Sequence, residues 1–100
     1  MANATCDLFA LNPVERVRQR ELLQRLRPAA DDVRELGDGY HFRLNSARFS
    51  FLEAAEWVDL ERRCCPFLAF DLQISGGEAG FGLSVTGGDG VKAFIEAELR

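Results

Sequence analysis

The chain has 100 residues, enough for one hydrophobic core but not two, so a single domain over 1–100 is expected. Apolar residues make up 47% and charged residues 28%, an ordinary globular balance in which eight phenylalanines supply much of the core volume. A net charge of −4 lacks the basic excess that displaces counterions from phosphate, which argues against nucleic acid and anionic membrane surfaces as partners.

The first residues, Met-Ala-Asn-Ala-Thr-Cys-Asp, have neither a basic region nor an apolar run, so no signal peptide is expected. No apolar stretch approaches the roughly 20 residues of a spanning helix. Three cysteines, two of them adjacent, do not make the disulfide framework of a secreted domain. Free thiols in a cytoplasmic protein are the expectation. Residues 1–11 read as a loosely held lead-in, with Cys6, Leu8, Phe9 and Leu11 as anchors onto the core.

Asn12-Pro13-Val14-Glu15 announces the first helix: Asn12 can cap, Pro13 suits the first turn and Glu15 can complete a capping box. Pro28 disfavours helical geometry at Arg27, so the helix is expected to end there. Its apolar residues, Val14, Val17, Leu22, Leu23 and Leu26, form a loose stripe, and its arginines a solvated face. Val33–Leu36 reads as a charged edge strand, and Gly37-Asp38-Gly39 as a tight hairpin turn. Tyr40–Asn45 alternates, with Tyr40, Phe42 and Leu44 on one face and His41, Arg43 and Asn45 on the other.

Ser50 with Glu53 makes a second capping box, with Phe49 and Ala54 placed as a hydrophobic staple. Helical spacing puts Phe51, Ala54, Ala55, Val58 and Cys65 on the main apolar face. Trp57, Leu60 and Cys64 fall on a second flank about 100° away. Pro66 ends the helix by forcing Cys65 out of helical geometry. Phe67–Ile74 and Gly80–Thr86 alternate and read as a second hairpin through Gly76-Gly77. Gly87-Gly88-Asp89-Gly90 then breaks the strand, with Asp89 as the expected cap of a last helix whose stripe is Val91, Phe94, Ile95 and Leu99.

The order is α-β-β-α-β-β-α. It predicts an α+β, two-layer domain: a four-stranded, mainly antiparallel sheet with helices on one face. The opposite sheet face is polar with small residues, which suits solvent or a homodimer contact.

Chemistry concentrates at Glu61-Arg62-Arg63-Cys64-Cys65-Pro66-Phe67. Adjacent cysteines rarely bond to each other, because their alpha carbons lie only about 3.8 Å apart across a trans peptide. As thiolates they can chelate a soft metal ion, with Cys6 as a third ligand. Against this, a helix C-terminus disfavours a thiolate, which Arg62 and Arg63 could offset. The competing reading is that cysteine is simply a small core residue. His41 stands alone on the polar strand face. Zinc is disfavoured, because no separated cysteine pair such as C-x2-C is present. Glu53, Glu56 and Glu61 spread around their helix and read as a solvated face. The Gly-rich turn before the last helix lacks the lysine and spacing of a phosphate loop, and no hydrolase motif is present.

Cys6-Asp7-Leu8, Glu15-Arg16, Glu61 through Phe67, and Leu83-Ser84-Val85-Thr86-Gly87-Gly88-Asp89-Gly90-Val91-Lys92-Ala93-Phe94 together resemble a family of small uncharacterised bacterial proteins. The resemblance runs over nearly the whole chain and implies a bacterial, cytoplasmic protein, without implying an activity. The expected function is therefore soft-metal binding or thiol redox sensing through Cys64 and Cys65 with Cys6, and Cys64 as the more accessible thiol. The alternative is a structural or interaction module, a homodimer through the polar sheet face. An enzyme is the weakest reading, since one histidine and scattered carboxylates assemble no acid–base pair.

Overall fold

The computed structural model describes residues 6–7 and 9–99. The elements are α1 (Pro13–Ala29), β1 (Ala30–Leu36), β2 (Gly39–Asn45), α2 (Phe51–Cys64), β3 (Leu68–Gln73), β4 (Gly80–Gly87) and α3 (Val91–Glu98). This is the expected α+β order. All strand pairings are antiparallel, and the sheet order is β1-β2-β4-β3. Two hairpins thus meet along β2 and β4, which pair from Gly39↔Thr86 to Asn45↔Gly80.

The central strands are the most apolar. Tyr40, Phe42 and Leu44 of β2 and Phe81, Leu83 and Val85 of β4 are buried beneath the helices. The opposite face is polar and pairs within itself. His41 Nδ1 lies 2.8 Å from Ser84 Oγ, and Arg43 donates to Glu78 at 2.6 Å. Edge strand β1 is interrupted by a bulge between Ala30 and Asp32 and carries Asp31, Asp32, Arg34 and Glu35, charges that discourage pairing with another sheet. Neither loop residue of the first hairpin has a positive φ, unlike the Asp-Gly turn expected from sequence. The loop is instead gripped from β4, where Gly87 N–H donates to Asp38 O at 3.0 Å. Gly39 permits the close passage of these chains: a Cβ there would lie 2.0 Å from Val85 O.

Both predicted capping boxes form, Asn12 with Glu15 and Ser50 with Glu53. Helix α1 runs past its expected end to Ala29 with Pro28 inside it. In the last turn the ring costs few helical bonds, and burial of Leu26 and Ala29 outweighs the local preference at Arg27. Val14 and Val17, expected in the stripe, are exposed; the buried positions are Leu22, Leu26 and Ala29. Helix α3 differs at its start. Its cap is Gly90, in the left-handed region at φ 86°, and Asp89 makes no capping bond. Val91, Ile95 and Leu99 are buried as expected, and Phe94 packs edge-on against Phe67.

Helix α2 is rotated from its expected pose. Ala54, Trp57, Leu60, Glu61 and Cys64 are buried, whereas Phe51, Ala55 and Val58 are half-buried. The physical reason is that α2 packs both on the sheet and against α1, so its Trp57 flank becomes interior. Trp57 meets the Phe70 ring edge-on at 5.7 Å.

Candidate metal and redox centre

The site forms where α2 ends, α1 passes over it and the lead-in folds back. Glu61 lies three residues before Cys64, so the two share one side of the last turn of α2, and Cys65 follows as the C-cap. Pro66 removes Cys65 from the helix, as expected, leaving it at φ −123° and ψ 72°. That departure changes the geometry. Held helical, the two cysteines would diverge; with Cys65 released, their sulfurs lie 3.4 Å apart.

Cys6 completes the group through a disulfide to Cys65, a residue 59 positions away. The expectation of three free thiols is thus corrected: Cys64 is the free cysteine among the described residues. The cause is tertiary. The lead-in is tied to the end of α2, with Asp7 N–H donating to Cys64 O at 2.6 Å and Leu11 buried in the core. Phe9, expected as an anchor, is 92% exposed, and Leu8 lies outside the described residues. The bond also removes free thiols as an argument for a cytoplasmic setting.

Glu61 was expected on a solvated face and is only 8% exposed. Gln19 of α1 donates to Glu61 Oε2 at 2.6 Å and lies 3.1 Å from Cys64 Sγ. Glu61 Oε1 is 3.4 Å from Cys65 Sγ. Burial pushes the Glu61 carboxyl up, the Gln19 bond opposes this, and nearby Glu98 adds to the rise. Burial likewise raises the Cys64 thiol, against the Gln19 contact and with help from Glu61 and Asp7. The arginines expected to offset this are engaged elsewhere: Arg62 with Asp59 at 2.7 Å, Arg63 with Glu15 at 2.7 Å. Burial thus disfavours the Cys64 thiolate, the opposite of the environment that activates a cysteine nucleophile.

One donor atom each from Cys6, Glu61, Cys64 and Cys65 lies within 4.8 Å of all the others. With the Cys6–Cys65 bond reduced, such a cluster could hold a metal ion. The other two glutamates play no part: Glu53 closes its capping box and pairs with Arg25, and Glu56 pairs with Arg18 at 2.8 Å. His41 is on the far face of the sheet, its ring over Gly82, where a Cβ would come within 2.7 Å of Cε1. Beside the cluster a cavity of about 590 Å³ opens, with Cys6 and Cys64 in its wall and Cys65 behind them.

Sequence reasoning found the three cysteines but missed Glu61 and Gln19. The signal for Glu61 was its i−3, i−4 spacing to the cysteines. Gln19 carried none, because its place depends on how α1 crosses α2. Comparisons with protein-family models, curated proteins and solved structures found no match. No helix among the described residues is long and apolar enough to cross a membrane.

Proposed function

We propose that the reduced protein holds a soft, thiophilic metal or metalloid ion through Cys6, Cys64 and Cys65, and that oxidation to the Cys6–Cys65 disulfide closes the site. The observation that carries this reading is the convergence of three sulfurs and one carboxylate within 4.8 Å. A tetrahedral site with metal–sulfur bonds of about 2.3 Å has sulfur–sulfur edges of roughly 3.8 Å, so a small adjustment brings the donors into range. Three thiolates select soft ions over hard ones. Glu61 supplies a fourth, oxygen donor, although the separated cysteine pair whose lack spoke against zinc is still absent.

Oxidation and ion binding exclude each other, because the sulfurs joined in a disulfide are no longer thiolate ligands. Either state ties the lead-in to the end of α2. A bacterial, cytoplasmic setting, implied by the resemblance of the Glu61–Phe67 segment, belongs to the same proposal, since a reducing compartment keeps the thiols available. The competing module reading has less support. The polar sheet face is already paired within itself, and although Cys64 and Cys65 are buried in the core, as that reading expects, their sulfurs converge with Cys6 and Glu61 within 4.8 Å.

Native mass spectrometry of the phosphine-reduced protein, exposed in turn to zinc, mercury(II) and arsenite, tests this. One ion per chain is expected, lost in Cys64→Ser and in Cys65→Ala. Failure of all three ions to bind stoichiometrically, or uptake indifferent to these substitutions, would overturn it.

A further inference from the structure

The cavity beside the disulfide is lined by charges of both signs. Arg16 and Arg20 stand one helical turn apart on α1, while Asp7 and Glu98 line the same space. Elsewhere on the surface Arg18, Arg25, Arg43, Arg62 and Arg63 are each held in an ion pair, while Arg27 and Arg48 donate to backbone carbonyls. The side chains of Arg16 and Arg20 have no carboxylate partner among the described residues. Two unpaired guanidiniums thus face a cavity with a half-buried disulfide residue, Cys6, in its wall. The other sulfur of the bond, Cys65, is fully buried and outside the lining.

We infer that this cavity is a binding site for a zwitterionic low-molecular-weight thiol, of the cysteine or glutathione class, which opens the Cys6–Cys65 bond by attack at Cys6. Arg16 and Arg20 take the ligand's carboxylates, and Asp7 and Glu98 its ammonium group. The inference rests on the oxidised state of the proposed switch and supplies the reductant class that returns it to the ion-binding form.

The chemistry is thiol–disulfide exchange. The small thiol loses its proton, and its sulfur forms a bond to Cys6 Sγ. The Cys6–Cys65 bond breaks, its electron pair leaves on Cys65 Sγ, and that sulfur takes up a proton. A second small thiol then attacks the ligand sulfur of the mixed disulfide, releasing Cys6 as a thiol and the small-molecule disulfide. Two small thiols are oxidised to one disulfide, and one protein disulfide is reduced to two thiols. Attack at Cys6 rather than Cys65 follows from access, because the cavity reaches only the former.

The test compares glutathione with 2-mercaptoethanol, a neutral thiol with the same exchange chemistry, on the oxidised full chain. The ratio of their rate constants is measured for the folded protein and for the same protein unfolded in urea. Folding should raise the glutathione ratio by about tenfold, the scale of one charge-assisted hydrogen bond between a guanidinium and a ligand carboxylate. Arg16→Ala with Arg20→Ala should remove that gain, and Arg16→Lys with Arg20→Lys should restore most of it. Trapped adducts should map to Cys6. Equal ratios in folded, unfolded and variant protein would overturn the inference, as would adducts on Cys64 or Cys65. An intact mass showing no disulfide in oxidised protein would overturn it too. Ion uptake by phosphine-reduced protein does not involve this step, so failure here and failure of the ion-binding reading are separable.

Discussion

Removing Cys6 tests how the lead-in is held and whether the disulfide contributes to stability. The bond joins residues separated by 59 positions. Chain-entropy arguments give about 4 kcal/mol at 25 °C for a loop of that length, almost all of it from restricting the unfolded chain. For a domain of 100 residues, each kcal/mol moves Tm by about 4–8 °C, so Cys6→Ser should melt roughly 15–30 °C below the oxidised wild type. The hydrogen bond from Asp7 N–H to Cys64 O can survive the substitution, so the fold itself should persist. Urea unfolding monitored by Trp57 fluorescence, with and without reductant, measures the difference. Reduced wild type should coincide with Cys6→Ser within about 0.5 kcal/mol, because both lack the same constraint. Oxidised wild type should also show a smaller m-value, since its cross-linked unfolded state exposes less surface. Equal midpoints for oxidised wild type and Cys6→Ser would refute the reasoning.

Glu61→Gln addresses the buried carboxyl. Burial holds the Glu61 pKa above the ordinary 4.5, so the folded chain binds this proton more tightly than the unfolded chain. The stability so contributed is complete below 4.5 and is lost as pH rises through the raised folded value. The variant should therefore gain on wild type between pH 4 and pH 7 in chemical denaturation; a wild type that gains on the variant over that range would contradict this assignment. Gly39→Ala should cost about 3 kcal/mol or more, because the added Cβ meets Val85 O at 2.0 Å and neither strand can yield without breaking the β2–β4 ladder. Thermal denaturation reads this directly, and a loss below 1 kcal/mol would show that the strands separate easily. Trp57→Ala should cost about 3–5 kcal/mol as a core truncation, and Trp57→Phe clearly less. Phenylalanine keeps most of the packing and removes the buried indole N–H, which has no hydrogen-bond partner among the described residues. Equal losses in urea titrations of the two variants would show that the N–H is satisfied after all.

Much of the architecture was legible in the residues. Alternation at Tyr40–Asn45 and Gly80–Thr86 reports a sheet buried on one face, because side chains of a strand point to opposite faces with period two. Ser50 with Glu53, and Asn12 with Glu15, mark helix starts through bonds that reach only three residues. Pro66 ends α2 by a steric rule confined to its neighbour. These are local effects, and local sequence carries them.

Where an element packs was not legible from its own residues. The inward face of α2 turned toward Trp57 because α1 covers that flank, and α1 kept its last turn because Ala29 is buried. The same dependence governs the site. The sequence alone determined that Cys64 and Cys65 stand at a helix end broken by proline, with Glu61 one turn before them. Only the tertiary structure decided that Cys65, once out of the helix, bonds to Cys6, that Gln19 reaches Glu61, and that a cavity opens beside Cys6. Each requires segments dozens of residues apart to meet, and that meeting is set by the burial of the whole core rather than by any short stretch of chain.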